Sequence, residues 1–100
     1  MAVTATITAA DTFTDWIAPR QRLAFGGPNL GELNLSVWGA SWSGTVTLQR
    51  TFNEGTTILD VEEYTANVER IVQDTEAGVK YRIGVVSTDS IAGTVNVRLA

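Results

Sequence analysis

Val3, Ala5, Ile7 and Ala9 alternate with Thr4, Thr6 and Thr8, and a period of two is that of a strand with one buried and one wetted face. The pattern returns at Leu33, Leu35 and Val37, set against Asn34 and Ser36. It is clearest where Val46, Leu48, Arg50 and Phe52 share one face while Thr45, Thr47, Gln49 and Thr51 share the other. Near the C-terminus Val79, Tyr81, Ile83 and Val85 form one alternating set, and Val95, Val97 and Leu99 form another. Residues 13–17 and 22–25 are two weaker candidates. Pro19 stops the first, because proline cannot donate to a ladder. The second runs into Gly26, Gly27, Pro28, Asn29 and Gly31, whose composition predicts a loop. Residues 39–44 and 88–93 are predicted connections.

The stretch 60–77 has two possible forms. Val61, Tyr64, Val68, Ile71 and Val72 fall at helical spacing, with Asp60 and Glu63 resembling a capping box and Gly78 placed to end a helix. The same residues are rich in Val, Ile, Thr and Tyr, and two strands over 57–64 and 67–73 are the expected form, since every neighbour is a strand. About seven or eight short strands separated by Gly, Ser and Asn turns predict an all-β fold, an antiparallel β-sandwich or jelly roll. A chain of 100 residues is expected to form one such domain, 1–100.

Composition narrows the chemistry. With 44% hydrophobic and 18% charged residues the chain is expected to fold unaided. It has no cysteine, so neither disulfides nor thiolate zinc sites are available. It has no histidine either, which removes the usual general base, metal ligand and pH switch together. The net charge is −4 and the seven Lys and Arg are dispersed, a poor match to a nucleic-acid backbone. No signal-peptide pattern and no long apolar run is present, so the expectation is a soluble chain made in the cytoplasm, with no membrane partner.

The candidate sites follow from what remains. Asp11 with Asp15, Asp60 with Glu62 and Glu63, and Asp74 with Glu76 are the carboxylate groupings a glycosidase would draw on, and they are expected to be solvated loop and edge charges. Hydroxyls lack a neighbouring base, no twelve-residue loop has calcium-ligand register, and the 26–31 segment lacks the Lys and Ser or Thr of a phosphate cradle. No catalytic, metal or cofactor site is therefore expected. Of the three tryptophans, Trp16 is a candidate interface residue together with Arg20 and Arg22 of the 18–30 loop, since arginine and large aromatics are favoured at interfaces. The Thr-rich segment 1–10 is a further candidate contact. Trp38 and Trp42 are the candidates for stacking on a sugar ring, with core or interface filling as the expected alternative.

Two motifs invite comparison. Gly44-Thr45-Val46 recurs as Gly93-Thr94-Val95, a match too short for a repeating unit. Thr51-Phe52-Asn53-Glu54-Gly55-Thr56-Thr57-Ile58 predicts a hairpin in which Asn53 and Gly55 supply positive φ. It resembles a degenerate Asp-box of sialidase-like propellers, where the box is structural, with Asn53 and Ile58 departing from the Asp and Trp of that motif.

A wider resemblance rests on Asp15-Trp16-Ile17, Asn34-Leu35-Ser36-Val37, the 43–50 run SGTVTLQR, the 76–82 run EAGVKYR and the 93–99 run GTVNVRL. Together they are similar to small structural proteins of tailed bacteriophages, over nearly the whole chain. What the resemblance implies is a non-enzymatic virion component, with capsid decoration or cementing as the expected role. Its partners would be the major capsid protein and further copies of itself, with a trimer on a local threefold as the expected oligomer. The alternative is a carbohydrate- or receptor-binding module of a tail tip or fibre, using Trp38 or Trp42.

Overall fold

The structure is a computed structural model that describes residues 2–23, 29–74 and 76–100, with the backbone alone at 20–23, 29 and 30. The described chain is all-β, in antiparallel sheets. Its strands are β1 (Val3–Ile7), β2 (Thr12–Phe13), β3 (Arg20–Leu23), β4 (Asn29–Trp38), β5 (Ser43–Gly44), β6 (Val46–Thr51), β7 (Leu59–Tyr64), β8 (Val68–Gln73), β9 (Lys80–Val85), β10 (Ile91–Ala92) and β11 (Val95–Leu99). The count exceeds the expected seven or eight because β2, β5 and β10 are two residues long, too short to show a period.

The first sheet is built on β4. Its residues 32–37 pair with β8 on one edge. On the other edge residues 35–38 pair with β11 and residues 29–32 with β3, so β11 and β3 lie end to end along one long strand. β1 pairs with β11 from Val3↔Leu99 to Ile7↔Val95. The second sheet runs β2-β9-β6-β7, and a bridge between Ile17 and Tyr81 extends its β2 edge. The strand expected over 13–17 is thus split in two: the Thr14 amide donates to the Ile83 carbonyl, but it is the Thr14 hydroxyl that accepts from the Ile83 amide.

The alternating apolar sets point between the sheets, except for Ala9 and Phe52, which lie beyond the ends of β1 and β6 and are exposed. Leu33, Leu35 and Val37 meet Val95, Val97, Leu99 and Ile7 from one side, and Val46, Leu48, Tyr81, Ile83 and Val85 from the other, all essentially without solvent contact. Such two-layer burial is what a one-faced strand needs to be stable.

Within the ambiguous stretch, residues 60–64 and 68–73 lie in the strands β7 and β8, as their β-branched content favours. Gly31 belongs to β4, not to a loop. Its missing side chain lets the Asp74 carbonyl and Pro19 close in on it. Of the remaining predicted loop residues Asn29 also lies in β4, while Gly26, Gly27 and Pro28, with Phe25 of the third candidate strand, lie outside the described residues. Within the candidate contact segment, Val3–Ile7 are committed to β1 and Ile7 is fully buried, which leaves Thr4, Thr6 and Thr8 as its exposed threonines.

The two Gly-Thr-Val segments have a common use. Gly44↔Ile91 and Ser43↔Ala92 form a small ladder inside the two predicted connections. Gly44 (φ 141) and Gly93 (φ 82) turn the chain out of it into β6 and β11, conformations that favour glycine.

Candidate functional site

Arg50 shares a face with Val46 and Leu48, so its stem enters the space between the sheets. There its Nε donates to Asp74 Oδ2 at 2.7 Å and its Nη2 to Glu76 Oε1 at 2.9 Å. The Tyr81 hydroxyl donates to the same Asp74 oxygen at 2.7 Å, and the Glu76 amide donates to Asp74 Oδ1 at 3.0 Å. Asp74 follows β8 and belongs to the first sheet's end, since its amide donates to the Gly31 carbonyl. The cluster therefore ties the two layers together. Nearby, Arg70 of β8 pairs with Glu62 of β7, closing the same open side.

Burial pushes the Asp74 carboxyl up, but the Arg50 and Tyr81 hydrogen bonds and the Glu76 amide outweigh it and hold the group below its ordinary range. Arg50 is raised in turn, first by its bond to Asp74. Tyr81 is pushed up to about 12 by burial, reinforced by the neighbouring carboxylate. A carboxylate held this firmly ionised makes a good anchor and a poor general acid. The expectation that Asp74 is a solvated loop charge is corrected: its side chain is 12% exposed, because the inward-facing Arg50 demands a partner.

On the outer face of the second sheet, Arg82 lies between Phe13 and Trp16, its guanidinium carbon 4.0 Å and 4.7 Å from the two ring centroids. Its Nε donates to Gln49 Oε1, and Gln49 Nε2 donates to Asp60 Oδ1, both at 2.9 Å. Gly84 makes the stack possible, as any side chain there would strike the Thr12 carbonyl and Phe13. Trp16 is thereby committed to a cation–π contact. Beside it on β6, Thr47 is fully buried and its hydroxyl finds no hydrogen-bond partner. An unsatisfied buried hydroxyl costs stability, so Thr47→Val is expected to raise the unfolding free energy by about 1 kcal/mol. A urea titration showing equal or lower stability would mean that the hydroxyl is satisfied in solution.

The Asn53 loop is self-contained. Asn53 Oδ1 accepts from the Thr57 amide at 2.7 Å, and Thr51 Oγ1 accepts from the Gly55 amide at 2.8 Å. Positive φ falls at Glu54 and Gly55 (59° and 88°), not at Asn53, which acts through its side chain. The two sugar-stacking candidates part company. The Trp42 indole donates to Asn67 Oδ1 at 2.8 Å and packs against the core, whereas Trp38 is 44% exposed on the outer face of the first sheet. Arg20 and Arg22 lie on β3, opposite Glu32 and Leu30.

Sequence reasoning overlooked one surface. Phe52, Ile58, Leu59 and Val61 are each between 41% and 47% exposed, four of the six exposed large apolar residues among those described, and all belong to the β6–β7 hairpin. Alternation placed Phe52 with the core residues of β6, but the strand ends at Thr51. A register shift between Leu48 and Gln49 leaves Val61 without a pairing partner on β6, which breaks the alternation of β7.

Among the described residues no group of three or more His, Cys, Asp or Glu is placed to hold a metal ion, and no helix is long and apolar enough to cross a membrane. No protein-family model, curated protein or solved structure matches the chain.

Proposed function

We propose that this is a non-enzymatic β-sandwich that works by assembly, a bacteriophage virion protein that decorates and stabilises the capsid. The observation that supports it best is the apolar hairpin surface of Phe52, Ile58, Leu59 and Val61. Large apolar residues left exposed along one hairpin at the edge of a sheet are costly to keep in water and are candidates for a contact surface. The polar clusters point the same way: Arg50, Asp74, Tyr81, Arg82 and Gln49 are occupied with one another, as a scaffold would have them. On this proposal the hairpin seats on the major capsid protein or on another copy of the chain, and modest contacts are multiplied over a symmetric lattice.

The test is to add purified protein to mature heads that lack it, and to record stoichiometry and heat resistance together. Saturation at a symmetric multiple of capsomers with raised heat resistance is expected. The double variant Phe52→Ser and Leu59→Lys, which leaves the core untouched, is expected to lose at least about tenfold in apparent affinity. Absence of binding by the unsubstituted protein rejects decoration. A carbohydrate- or receptor-binding module of a tail tip or fibre is a second reading, favoured by the exposed Trp38; Trp42 is withdrawn from it because its indole is engaged by Asn67.

A further inference from the structure

Of the described cationic side chains, Arg50, Arg70 and Lys80 are in ion pairs, and Arg82 is held by Gln49 and two rings. Arg98 stands apart: among the described residues it has neither an ion pair nor a hydrogen bond. Its place in the sheet is well defined. On the outer face of the first sheet it sits in a cross-strand row between Thr4 of β1 and Ser36 of β4, with Glu69 of β8 beyond Ser36. Glu69 accepts from the Ser36 hydroxyl at 3.3 Å, so the nearest carboxylate in the row is turned to serine. Asn34, Ser36, Glu69, Ile71 and Arg98 line a shallow depression of about 530 Å³ on this face.

One row further along the strands, about 7 Å away at the rise of a β-strand, Trp38 lies opposite Asn96. Asn96 is oriented by Thr6, whose hydroxyl donates to Asn96 Oδ1 at 3.0 Å. The face thus offers a half-exposed indole, amides and hydroxyls in register, and an uncompensated guanidinium. An indole suits the apolar face of a pyranose ring, amides and hydroxyls suit its hydroxyl groups, and a planar guanidinium suits a carboxylate.

We propose that the outer face of the first sheet binds a carboxylate-bearing saccharide chain, with Trp38 stacking on one ring and Arg98 pairing with the carboxylate of its neighbour. This rests on the saccharide reading of Trp38 and adds to it a ligand class and a second anchor. It is compatible with attachment through the β6–β7 hairpin, which belongs to the other sheet. Charge complementarity at Arg98 selects the acidic class, since a neutral chain would leave that cation as unpaired as it is now.

The probes are oligogalacturonate, its fully methyl-esterified form, which keeps the rings and removes the charge, and sialyllactose as a second carboxylated sugar. Binding is followed by amide chemical-shift changes and titration calorimetry on the whole chain. The expected result is binding of at least one carboxylated probe, with shifts centred on Ser36, Trp38, Asn96 and Arg98. Esterification, Arg98→Gln and Trp38→Ala are each expected to weaken it about tenfold or more, and rising salt to weaken it further. Equal binding of oligogalacturonate and its ester overturns the carboxylate assignment while leaving a saccharide site at Trp38. Shifts centred elsewhere overturn the site, and no binding of any probe overturns both. The ester comparison and the shift map use the unsubstituted protein, so they decide even if a variant misfolds.

Discussion

Asp74→Ala is expected to lower the unfolding free energy by about 2–4 kcal/mol, a shift of roughly 10–20 °C in midpoint for a chain of this size. The loss is large because two groups are orphaned together. The Arg50 guanidinium, with a side chain 19% exposed, keeps only the more solvated Glu76, and the Tyr81 hydroxyl loses its acceptor. Asp74→Asn keeps an acceptor for Tyr81 but loses the charge, and an intermediate effect is expected. Chemical unfolding of the three proteins checks the order; a loss below about 1 kcal/mol for Asp74→Ala, the worth of a surface ion pair, would show that the cluster is no more than that.

The pH profile follows from the same groups. Asp74 has its folded pKa depressed below the ordinary 3.8, so its contribution is complete above that value and is lost as pH falls through the depressed one. Tyr81 is raised from 10 to about 12, so its contribution is complete below 10 and is lost as pH climbs through about 12. Burial raises Tyr64 in the same sense. Asp74→Ala should therefore flatten the acid limb and soften the alkaline one without abolishing it, since burial is the first cause of the Tyr81 shift. An acid limb identical in the variant would remove Asp74 as its source.

Leu35→Ala is expected to cost about 3–5 kcal/mol, while Ile71→Ala on the neighbouring strand should change stability by less than about 0.5 kcal/mol. Leu35 lies between Leu99 and Arg70 in the sheet, 1% exposed and directed at the second sheet, so truncation leaves a cavity that β4, paired on both edges, cannot collapse. Ile71 is 64% exposed on the opposite face. Comparable losses at the two positions would mean that the β8 register is shifted by one residue, which exchanges its faces.

The same pair of residues shows what could be read from the sequence. Strands with one wet and one dry face announce themselves by alternation, and β1, β4, β6, β9 and β11 were legible for that reason. β8 was legible only as a strand: helical spacing grouped Val68, Ile71 and Val72 on one side, while the sheet separates Ile71 from the other two. The ladder of β5 and β10 carries no period at all and is set by the backbone freedom of Gly44 and Gly93. The inter-sheet cluster left one trace, an arginine among apolar residues on β6, which called for a buried carboxylate without saying which. Asp74 could be chosen only once β8 was known to end beside Gly31. The surface residues Trp38 and Arg98 were visible as letters, but their adjacency arises from pairing β4 with β11, which is invisible to any local window.

That pairing also governs the order in which the molecule can be made. β1, synthesised first, has β11 as its partner, and the upper edge of β4 waits for the same strand. Neither contact can form until residues 95–99 have been translated, so the growing chain carries an unmatched first strand and a half-finished central one throughout. Contacts this distant along the chain slow folding and leave strand edges open to neighbouring nascent chains. High-level synthesis is where that vulnerability is expected to be felt, and Thr4 and Thr6, the exposed face of the waiting strand, limit the apolar surface it presents in the interval.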